Sequence, residues 1–368
     1  MNRCNTSAAV PTIRLALVPD VALSGPFSYN ARVAWSPDSD CVALFDPGDW
    51  IHIDPQSSSV ALLDASTGKQ RTVHRGHHRI PKALGWHPLG KLIVSGGVDQ
   101  NLHVWYAETG LCRENASVFY GHWYWISSVA CDPTGTYVAS GDVEGTIHLV
   151  DLDCWDVYWT PQLGGWKRVT ALAFSPDGHY LLSASQEGHG KTTVALWNVT
   201  RRKWERNWEF QQTSVRAFAW SSDLLSVVVI GESTDTAIRR VDLIQIDGND
   251  LLTLRGVISA AWIDQGDQLR VITSDGEVKD YHWTDLIDFD TYALSNALWL
   301  RRFGGLARGL VEHATSSSSD FQRLFPETAV PRSRITPFFS PTASRIAFVE
   351  RGQVSFCTVH VYPHAATV

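Results

Sequence analysis

Histidine and aspartate are the residue types that come closest to a reactive or metal-binding cluster in this sequence. His77 and His78 are adjacent, and imidazole is a common metal ligand. His77 is better explained as part of a hydrogen-bond network inside a sheet, so we predict no metal site at this pair. Asp46, Asp49 and Asp54 lie close together, but their spacing differs from that of a calcium-binding loop. We interpret these three aspartates as part of a solvated turn.

Catalytic motifs are absent from the sequence. It has no Gly-x-Ser-x-Gly elbow, P-loop, kinase motif set, His-Glu-x-x-His sequence or dinucleotide-binding fingerprint. We therefore predict no catalytic residue, no cofactor and no enzymatic activity. One enzymatic alternative stays open, because fold and function are separable and a repeat protein can gather ligands from several repeats at a central channel. Such a channel site would be hydrolase-like.

The composition indicates a folded protein. Of the 368 residues, 44% are hydrophobic and 19% are charged, and the net charge is −7. A negative chain is a poor match for phosphate backbones, so we do not expect nucleic acid as the direct ligand, although a nucleic-acid-associated factor is a further alternative. The sequence has no run of membrane-span length and no secretory-signal layout at its start. We predict a cytoplasmic protein without a membrane segment, or a nuclear one if the source is a eukaryote.

A short phrase recurs along the chain: an aromatic residue or cysteine, then Ser-Pro-Asp or a close variant, then often glycine. Four of the six steps between copies measure 42 to 46 residues, close to the roughly 40–45 residues of a four-stranded propeller blade. Proline and glycine turn the chain, and an apolar strand precedes most copies, so the phrase predicts repeated hairpins. The copies begin at Trp35, Trp86, Cys131, Phe174, Trp220, Trp262 and Phe339.

One repeat resembles the WD-repeat family in full. A Gly-His pair ends at His77, a Ser-Gly pair begins at Ser95, and Asp99 and Trp105 follow at matching places. The resemblance implies an all-β, seven-bladed β-propeller, in which these His, Ser, Asp and Trp side chains form a buried hydrogen-bond tetrad. The physical reason is that a tryptophan N–H between stacked sheets needs an acceptor, which a chain of polar groups ending in aspartate supplies.

The other repeats carry less of this signature. The next copy has a Gly-His pair ending at His122, a serine at Ser140 and an acid at Glu144, but no tryptophan. The fourth has Ser183 and Trp197 without a Gly-His pair. Seven copies at one period nevertheless favour a single propeller domain over residues 1–368.

The two ends and one long step complete the predicted architecture. An orphan strand at residues 12–18 is expected to close the ring by completing the last blade, which removes exposed sheet edges. The 77-residue step from Trp262 to Phe339 contains an insertion at 284–333, with apolar residues spaced three or four apart in its first part. That spacing predicts a partly helical insertion. It can serve as a loop packed on the ring or as an arm that docks a partner.

Partners are expected on one face. In WD-repeat proteins the loops that lead into each innermost strand cluster around the channel mouth, and here they are rich in aromatic residues and arginine. These residue types dominate binding hot spots, although each ring can instead pack between blades. We therefore predict an interaction scaffold or adaptor subunit that binds proteins or peptide segments. The candidate partner-binding residues are Tyr29, Arg79, Trp123, Tyr124, Trp125, Trp166, Arg168, Arg216 and Arg334.

Overall fold

The computed structural model of the chain consists of antiparallel sheets joined by turns. Within the residues it describes there is no α-helix, and no helix that could cross a membrane. The described residues are 14–24, 31–45, 58–113, 118–119, 121–161, 167–188, 190–211, 213–222, 224, 226–233, 239–246, 251–254, 257–263, 268–273, 278–282, 336–341, 344–350 and 353–362.

Five sheets are complete meanders of four consecutive strands, which we call blades 1 to 5 in chain order. Blade 1 is β2 (Arg32–Trp35), β3 (Cys41–Phe45), β4 (Val60–Asp64) and β5 (Gln70–His74); blade 2 is β6 (Pro81–Trp86), β7 (Leu92–Gly97), β8 (Leu102–Tyr106) and β9 (Val118–Phe119); blade 3 is β10 (Ile126–Cys131), β11 (Tyr137–Asp142), β12 (Ile147–Asp151) and β13 (Val157–Trp159); blade 4 is β14 (Arg168–Phe174), β15 (Tyr180–Glu187), β16 (Lys191–Asn198) and β17 (Lys203–Gln211); blade 5 is β18 (Thr213–Trp220), β19 (Ser226–Ser233), β20 (Arg239–Gln245) and β21 (Leu251–Leu254).

Two further sheets differ from the blades. One has three strands, β22 (Val257–Ile263), β23 (Gln268–Thr273) and β24 (Val278–His282). The other has four strands and combines the two ends of the chain. Its strands β25, β26 and β27 come from the last third of the chain, and β1, from the first 24 residues, pairs with β27. Their bounds are β1 (Arg14–Ser24), β25 (Thr336–Phe339), β26 (Arg345–Glu350) and β27 (Gln353–Tyr362).

The prediction of a seven-bladed propeller with a partly helical insertion is wrong. Among the described residues, five sheets are complete blades of four consecutive strands, one further sheet has three strands, and another combines β1 with β25, β26 and β27. The repeated phrase marks the first turn of each sheet and does not determine how many strands follow it. No helix exists among the described residues, and the predicted insertion at 284–333 lies outside them.

The recurring phrase is explained by a buried polar side chain in its second position. The Ser36 hydroxyl accepts a hydrogen bond from the Cys41 N–H at 2.9 Å, and the Ser175 hydroxyl accepts one from the Tyr180 N–H at 2.9 Å. In blade 3 an aspartate does the same work, with Asp132 Oδ1 accepting from a backbone N–H at 2.7 Å. Each polar group closes the hairpin by satisfying the amide five residues later.

The glycine of the phrase has a conformational reason. Gly90, Gly135 and Gly178 each occupy the third position after the capping residue, with φ of +69°, +78° and +73°. This left-handed conformation costs glycine little, because glycine has no Cβ. Ser39 takes the same place in the first copy with φ of +64°, so the turn geometry is common even where glycine is missing.

The aromatic residue of the phrase joins neighbouring sheets. Trp86 donates its indole N–H to the Ala34 carbonyl at 2.9 Å, and Trp262 donates to the Ala219 carbonyl at 3.0 Å. Both bonds link an innermost strand to the innermost strand of the preceding blade. The innermost strands also contact one another in sequence, from β2 to β6 and on to β25, which contacts β2 again. The sheets therefore form a closed ring with apolar clusters between them.

Candidate functional site

The four polar residues predicted to meet in blade 2 lie together. The Trp105 indole N–H donates to Ser95 Oγ at 3.2 Å, and Ser95 Oγ lies 2.7 Å from His77 Nε2. His77 Nδ1 lies 2.8 Å from Asp99 Oδ2. The simplest proton arrangement is a chain in which Trp105 donates to Ser95, Ser95 to His77, and His77 to Asp99.

Burial and pairing set the charges of this network. Burial lowers the pKa of His77, even though its bond to Asp99 favours the protonated ring. Burial raises the pKa of Asp99, but the contacts from His103 and His77 outweigh it and hold that pKa below the usual range. The network therefore consists of a neutral imidazole and a carboxylate anion at neutral pH. Both ring nitrogens of His77 face partners in this network, and the absence of a metal site at the pair His77-His78 stays a prediction.

Blade 3 has a shorter version of the network. His122 Nε2 lies 2.8 Å from Ser140 Oγ, and His122 Nδ1 lies 3.0 Å from Asp142 Oδ2. The acid is therefore Asp142 and not Glu144, the residue expected from sequence spacing. Asp142 also accepts backbone N–H groups of its own turn through Oδ1, so it secures the turn and the histidine together. No tryptophan joins this network, because Val150 occupies the place that Trp105 has in blade 2.

These two networks anchor the loops that lead into β6 and β10. His77 and His122 each lie four residues before the next innermost strand. The loop after His122 exposes three aromatic side chains in a row: Trp123 is 86% exposed, Tyr124 42% and Trp125 40%. The Trp125 carbonyl accepts the Val143 N–H at 3.1 Å, which fixes the end of this loop to blade 3. The aromatic residues stand on an anchored base.

Basic side chains lie in the loops before the innermost strands or in the first half of those strands. Arg79 is exposed in the loop before β6, and Arg168 is exposed at the first residue of β14. Arg216 is exposed on β18 and forms an ion pair with Glu232 at 3.4 Å. Although Arg168 is exposed overall, the surrounding strands partly desolvate its guanidinium, which lowers its pKa, and the charge of Arg216 lowers it further, so these two cations are near neighbours.

Lys82 belongs to this basic group and was missed by the sequence analysis. Burial lowers the pKa of Lys82 to about 8, with further lowering by the charges of Arg168 and Arg32. Lys82 lies at an irregularity between β6 and β7, where the pairing skips from Pro81 to Ala83. The same irregularity recurs at Arg216 in blade 5. No motif announces it, because a bulge changes the direction of a side chain without changing the hydrophobic pattern.

Three predicted partner-binding residues, Tyr29, Trp166 and Arg334, lie outside the described residues. Of the remaining six, the structure places Trp123, Tyr124 and Trp125 on one loop, and it places Arg168 near Arg216. Arg79 is in the loop equivalent to that of Tyr124, one blade earlier. We call the loop 121–125 together with Arg79, Arg168, Arg216 and Lys82 the loop face.

Comparison with known protein families supports the presence of repeats. The family described as WD domain, G-beta repeat matches residues 68–106, 113–151 and 160–198. The chain therefore contains three WD40 repeats, which confirms the resemblance over those segments. They run from the end of blade 1 through blade 4, where the histidine and tryptophan networks lie.

Several relatives match part of this chain. Eukaryotic translation initiation factor 3 subunit I of Pyricularia oryzae is 36% identical over 126 residues, covering 33% of this chain and 35% of the relative. Intraflagellar transport protein 80 homolog of Rattus norvegicus is 28% identical over 56% of this chain and 24% of the relative. Guanine nucleotide-binding protein subunit beta-1 of Nicotiana tabacum is 26% identical over 45% of this chain and 44% of that protein. The aligned segment spans about a third of the initiation-factor relatives.

A solved structure matches the whole fold. Hydrazine synthase of Kuenenia stuttgartiensis superposes with a TM-score of 0.61, covering 99% of both chains at 13% sequence identity. At this identity the likeness concerns the backbone arrangement alone. It supports the all-β propeller and carries no argument about chemistry.

Proposed function

We propose that this chain, with its WD40 repeats, is a non-catalytic interaction scaffold: an adaptor subunit that holds other proteins in a larger assembly. The observation that carries the proposal is the exposure of Trp123 on a loop anchored by the buried His122 network. A large aromatic side chain exposed to 86% contributes little to folding, whereas tryptophan dominates binding hot spots. The relatives named as initiation-factor and G-protein subunits support a role inside an assembly.

The partner we propose is an acidic protein segment. Lys82, Arg168 and Arg216 lie on the innermost strands of blades 2, 4 and 5. Burial lowers the pKa of Lys82 and of Arg168, and repulsion from Arg168 and from Arg216, respectively, lowers these pKa values further. A carboxylate-rich segment would relieve that repulsion, and arginine forms paired hydrogen bonds with carboxylates. Aromatic rings would supply the apolar contact area. The loop face therefore suits a peptide with acidic and apolar residues.

Direct nucleic-acid binding and membrane attachment are not part of the proposal. The net charge of the chain is −7, which opposes association with a polyphosphate except at a local basic patch. We propose a cytoplasmic location, which the similarity to a translation initiation factor subunit supports. Partner identity is left to the experiment.

The experiment is an affinity capture with matched tryptophan variants of the full chain. Trp123→Ala removes the most exposed aromatic residue of the loop face. Trp204→Ala removes a tryptophan that is 54% exposed on β17, the outermost strand of blade 4. Both substitutions replace an exposed tryptophan with alanine, so a general loss of surface hydrophobicity would affect both variants equally. We expect a protein that co-purifies with the wild type and the Trp204 variant and is lost from the Trp123 variant.

Charge and salt provide a second readout. Arg168→Glu should weaken capture, and raising the salt concentration should weaken it for the wild type, because exposed ion pairs are screened. Equal capture by all variants, or capture of nucleic acid that disappears on nuclease treatment, would contradict the proposal. Turnover of a small molecule by the purified chain would favour the enzymatic alternative instead.

A further inference from the structure

Two histidines and a cysteine from three different segments converge at the junction of blades 1 and 2. His74 ends β5, His103 lies on β8, and Cys112 follows β8 in a bridge to Trp105. Their ligand atoms all lie within 4.8 Å of one another. His74 and His103 are each only 2% exposed, and Cys112 is half-buried, so the group is enclosed on one side and reachable on the other.

His74 is oriented so that one ring nitrogen faces this group without a partner. Its Nδ1 lies 3.0 Å from the Gly110 carbonyl oxygen, and an oxygen acceptor requires the proton to be on Nδ1. Nε2 then carries the lone pair, and it is buried without a hydrogen bond. The ring stacks on Trp105 at 4.9 Å between centroids, which holds it in this orientation. An orphaned buried acceptor destabilises the fold unless something binds to it.

His103 is arranged in a complementary way. Its Nδ1 lies 3.9 Å from Cys112 Sγ, and its Nε2 lies 3.7 Å from Asp99 Oδ2, beyond hydrogen-bond length. With the proton on Nε2, facing the carboxylate, Nδ1 presents its lone pair toward the cysteine. Metal-binding histidines usually give their second N–H to a carboxylate or a backbone carbonyl. Asp99 and the Gly110 carbonyl are placed to play these two parts.

We propose that His74 Nε2, His103 Nδ1 and Cys112 Sγ form a binding site for a Zn²⁺ ion, with water as the fourth ligand. Two imidazoles and a thiolate match the donor preference of zinc and of other borderline-soft metals. Nitrogen and sulfur ligands of tetrahedral zinc are about 3.6 Å apart for the usual bond lengths. The 3.9 Å between His103 and Cys112 needs only a small adjustment to reach that value.

The backbone at Gly76 leaves room for the two imidazoles to approach each other. A Cβ at this position would lie 2.7 Å from His74 Nε2 and 3.1 Å from His103 Nδ1. Any side chain at residue 76 would therefore press on both proposed nitrogen ligands. Binding of zinc would release the thiol proton of Cys112 to solvent, because the ligand is the thiolate. No oxidation or reduction is involved.

The test measures binding of Zn²⁺ and Co²⁺ to the full chain. Metal-free protein is titrated with Zn²⁺ against a chromophoric chelator, and Co²⁺ is added separately to record its visible and near-ultraviolet spectrum. We expect one tight Zn²⁺ per chain, and a Co²⁺ spectrum with a thiolate charge-transfer band and intense tetrahedral bands. Cys112→Ser should remove the charge-transfer band and weaken Zn²⁺ binding at least tenfold.

Matched variants separate the site from general effects. Cys154→Ser changes an exposed thiol on blade 3 and should leave binding and spectrum unchanged. His74→Phe keeps an aromatic ring against Trp105 but removes Nε2, so it should also weaken Zn²⁺ binding. If that variant does not fold, Cys112→Ser alone decides the question. Zn²⁺ affinity that is equal in the wild type and Cys112→Ser, or lost in Cys154→Ser, would overturn the proposal.

Discussion

Blades 2 and 3 have the same backbone frame but use their histidines differently. In both, a serine on the second strand pairs in register with a histidine on the third: Ser95 with His103, and Ser140 with His148. His148 has both ring nitrogens engaged, Nδ1 with Thr160 Oγ1 at 3.2 Å and Nε2 with the Gly121 carbonyl at 3.0 Å. The nitrogens of His103 lie 3.9 Å from a sulfur and 3.7 Å from a carboxylate.

The difference shows that a repeat position does not fix the role of its side chain. In blade 3 the third-strand histidine is a structural link that fastens the loop carrying Trp123. In blade 2 the equivalent histidine keeps a nitrogen available, and the extra histidine His74 does the same. The hydrogen-bond partners around the ring decide which of these outcomes occurs.

The largest effect concerns the tryptophan that the network of blade 2 contains and that of blade 3 lacks. Trp105→Ala should lower the free energy of unfolding by about 3–5 kcal/mol, because it removes a fully buried ring from a packed interior. Val150→Ala at the equivalent place in blade 3 should cost roughly 1–2 kcal/mol. Urea denaturation of both variants measures the difference. Equal losses would show that the tryptophan adds nothing beyond ordinary packing.

The serines provide a sharper version of the same contrast. Ser95 bonds both His77 and Trp105, whereas Ser140 bonds His122 in a network without tryptophan. Ser95→Ala leaves two buried groups unsatisfied and Ser140→Ala leaves one, at about 1–3 kcal/mol for each orphaned group. Chemical denaturation should therefore rank Ser95→Ala as the more destabilising. The reverse order would break the comparison between the two networks.

Acid should weaken both blades through their buried histidines. Burial, aided by repulsion from His77 and His103, lowers the pKa of His74 to about 4. Burial, aided by repulsion from His122, lowers the pKa of His148 to about 4, although Asp142 opposes this. An unfolded histidine has a pKa of about 6.5. Between these values the unfolded chain binds more protons, so the unfolding free energy is complete above about pH 6.5 and falls toward pH 4.

Variants test which histidine contributes to that pH dependence. The unfolding free energy of His148→Gln should fall less steeply than that of the wild type between pH 6.5 and 4, since glutamine does not titrate. Urea titrations at several pH values in this window give the slope. A slope identical to that of the wild type would show that His148 has no altered proton affinity in the folded chain.

The smallest effect on stability is expected on the loop face. Trp123→Ala should change the free energy of unfolding by no more than about 0.5 kcal/mol, because an exposed side chain has few packing contacts. Thermal unfolding of this variant beside Trp204→Ala would measure it. A loss above about 2 kcal/mol would mean that the ring packs into the fold, and loss of a partner could then no longer be read as loss of a contact.

Sequence patterns predicted the structure correctly where a residue type recurs at one position because the local backbone requires it. The repeated phrase predicted hairpins correctly, because its Ser or Asp caps a backbone amide and its glycine accepts a positive φ. His77, Ser95, Asp99 and Trp105 lie together for the same kind of reason. The candidate partner-binding residues Trp123, Tyr124 and Trp125 are exposed, and their contact with a partner stays a prediction.

Sequence patterns did not reveal side-chain contacts that depend on strand register or on segments distant in the chain. The acid of blade 3 is Asp142, the last residue of the second strand, although Glu144 has the sequence spacing that Asp99 has in blade 2. Lys82 joins the loop face through a bulge, and His74 meets His103 and Cys112 across two blades. The prediction of a seven-bladed propeller was wrong because counting the repeated phrase does not reveal how many strands each sheet contains.

The most direct test of the account is amide hydrogen exchange of the full chain, measured alone and with the protein that it captures. We predict added protection in residues 121–126 and at the start of β14, around Arg168, on the loop face. Residues 203–211 of β17, which carry Trp204, should exchange at the same rate in both samples. Protection confined to β17, with no change at 121–126, would contradict the claim that the loop face is the binding surface.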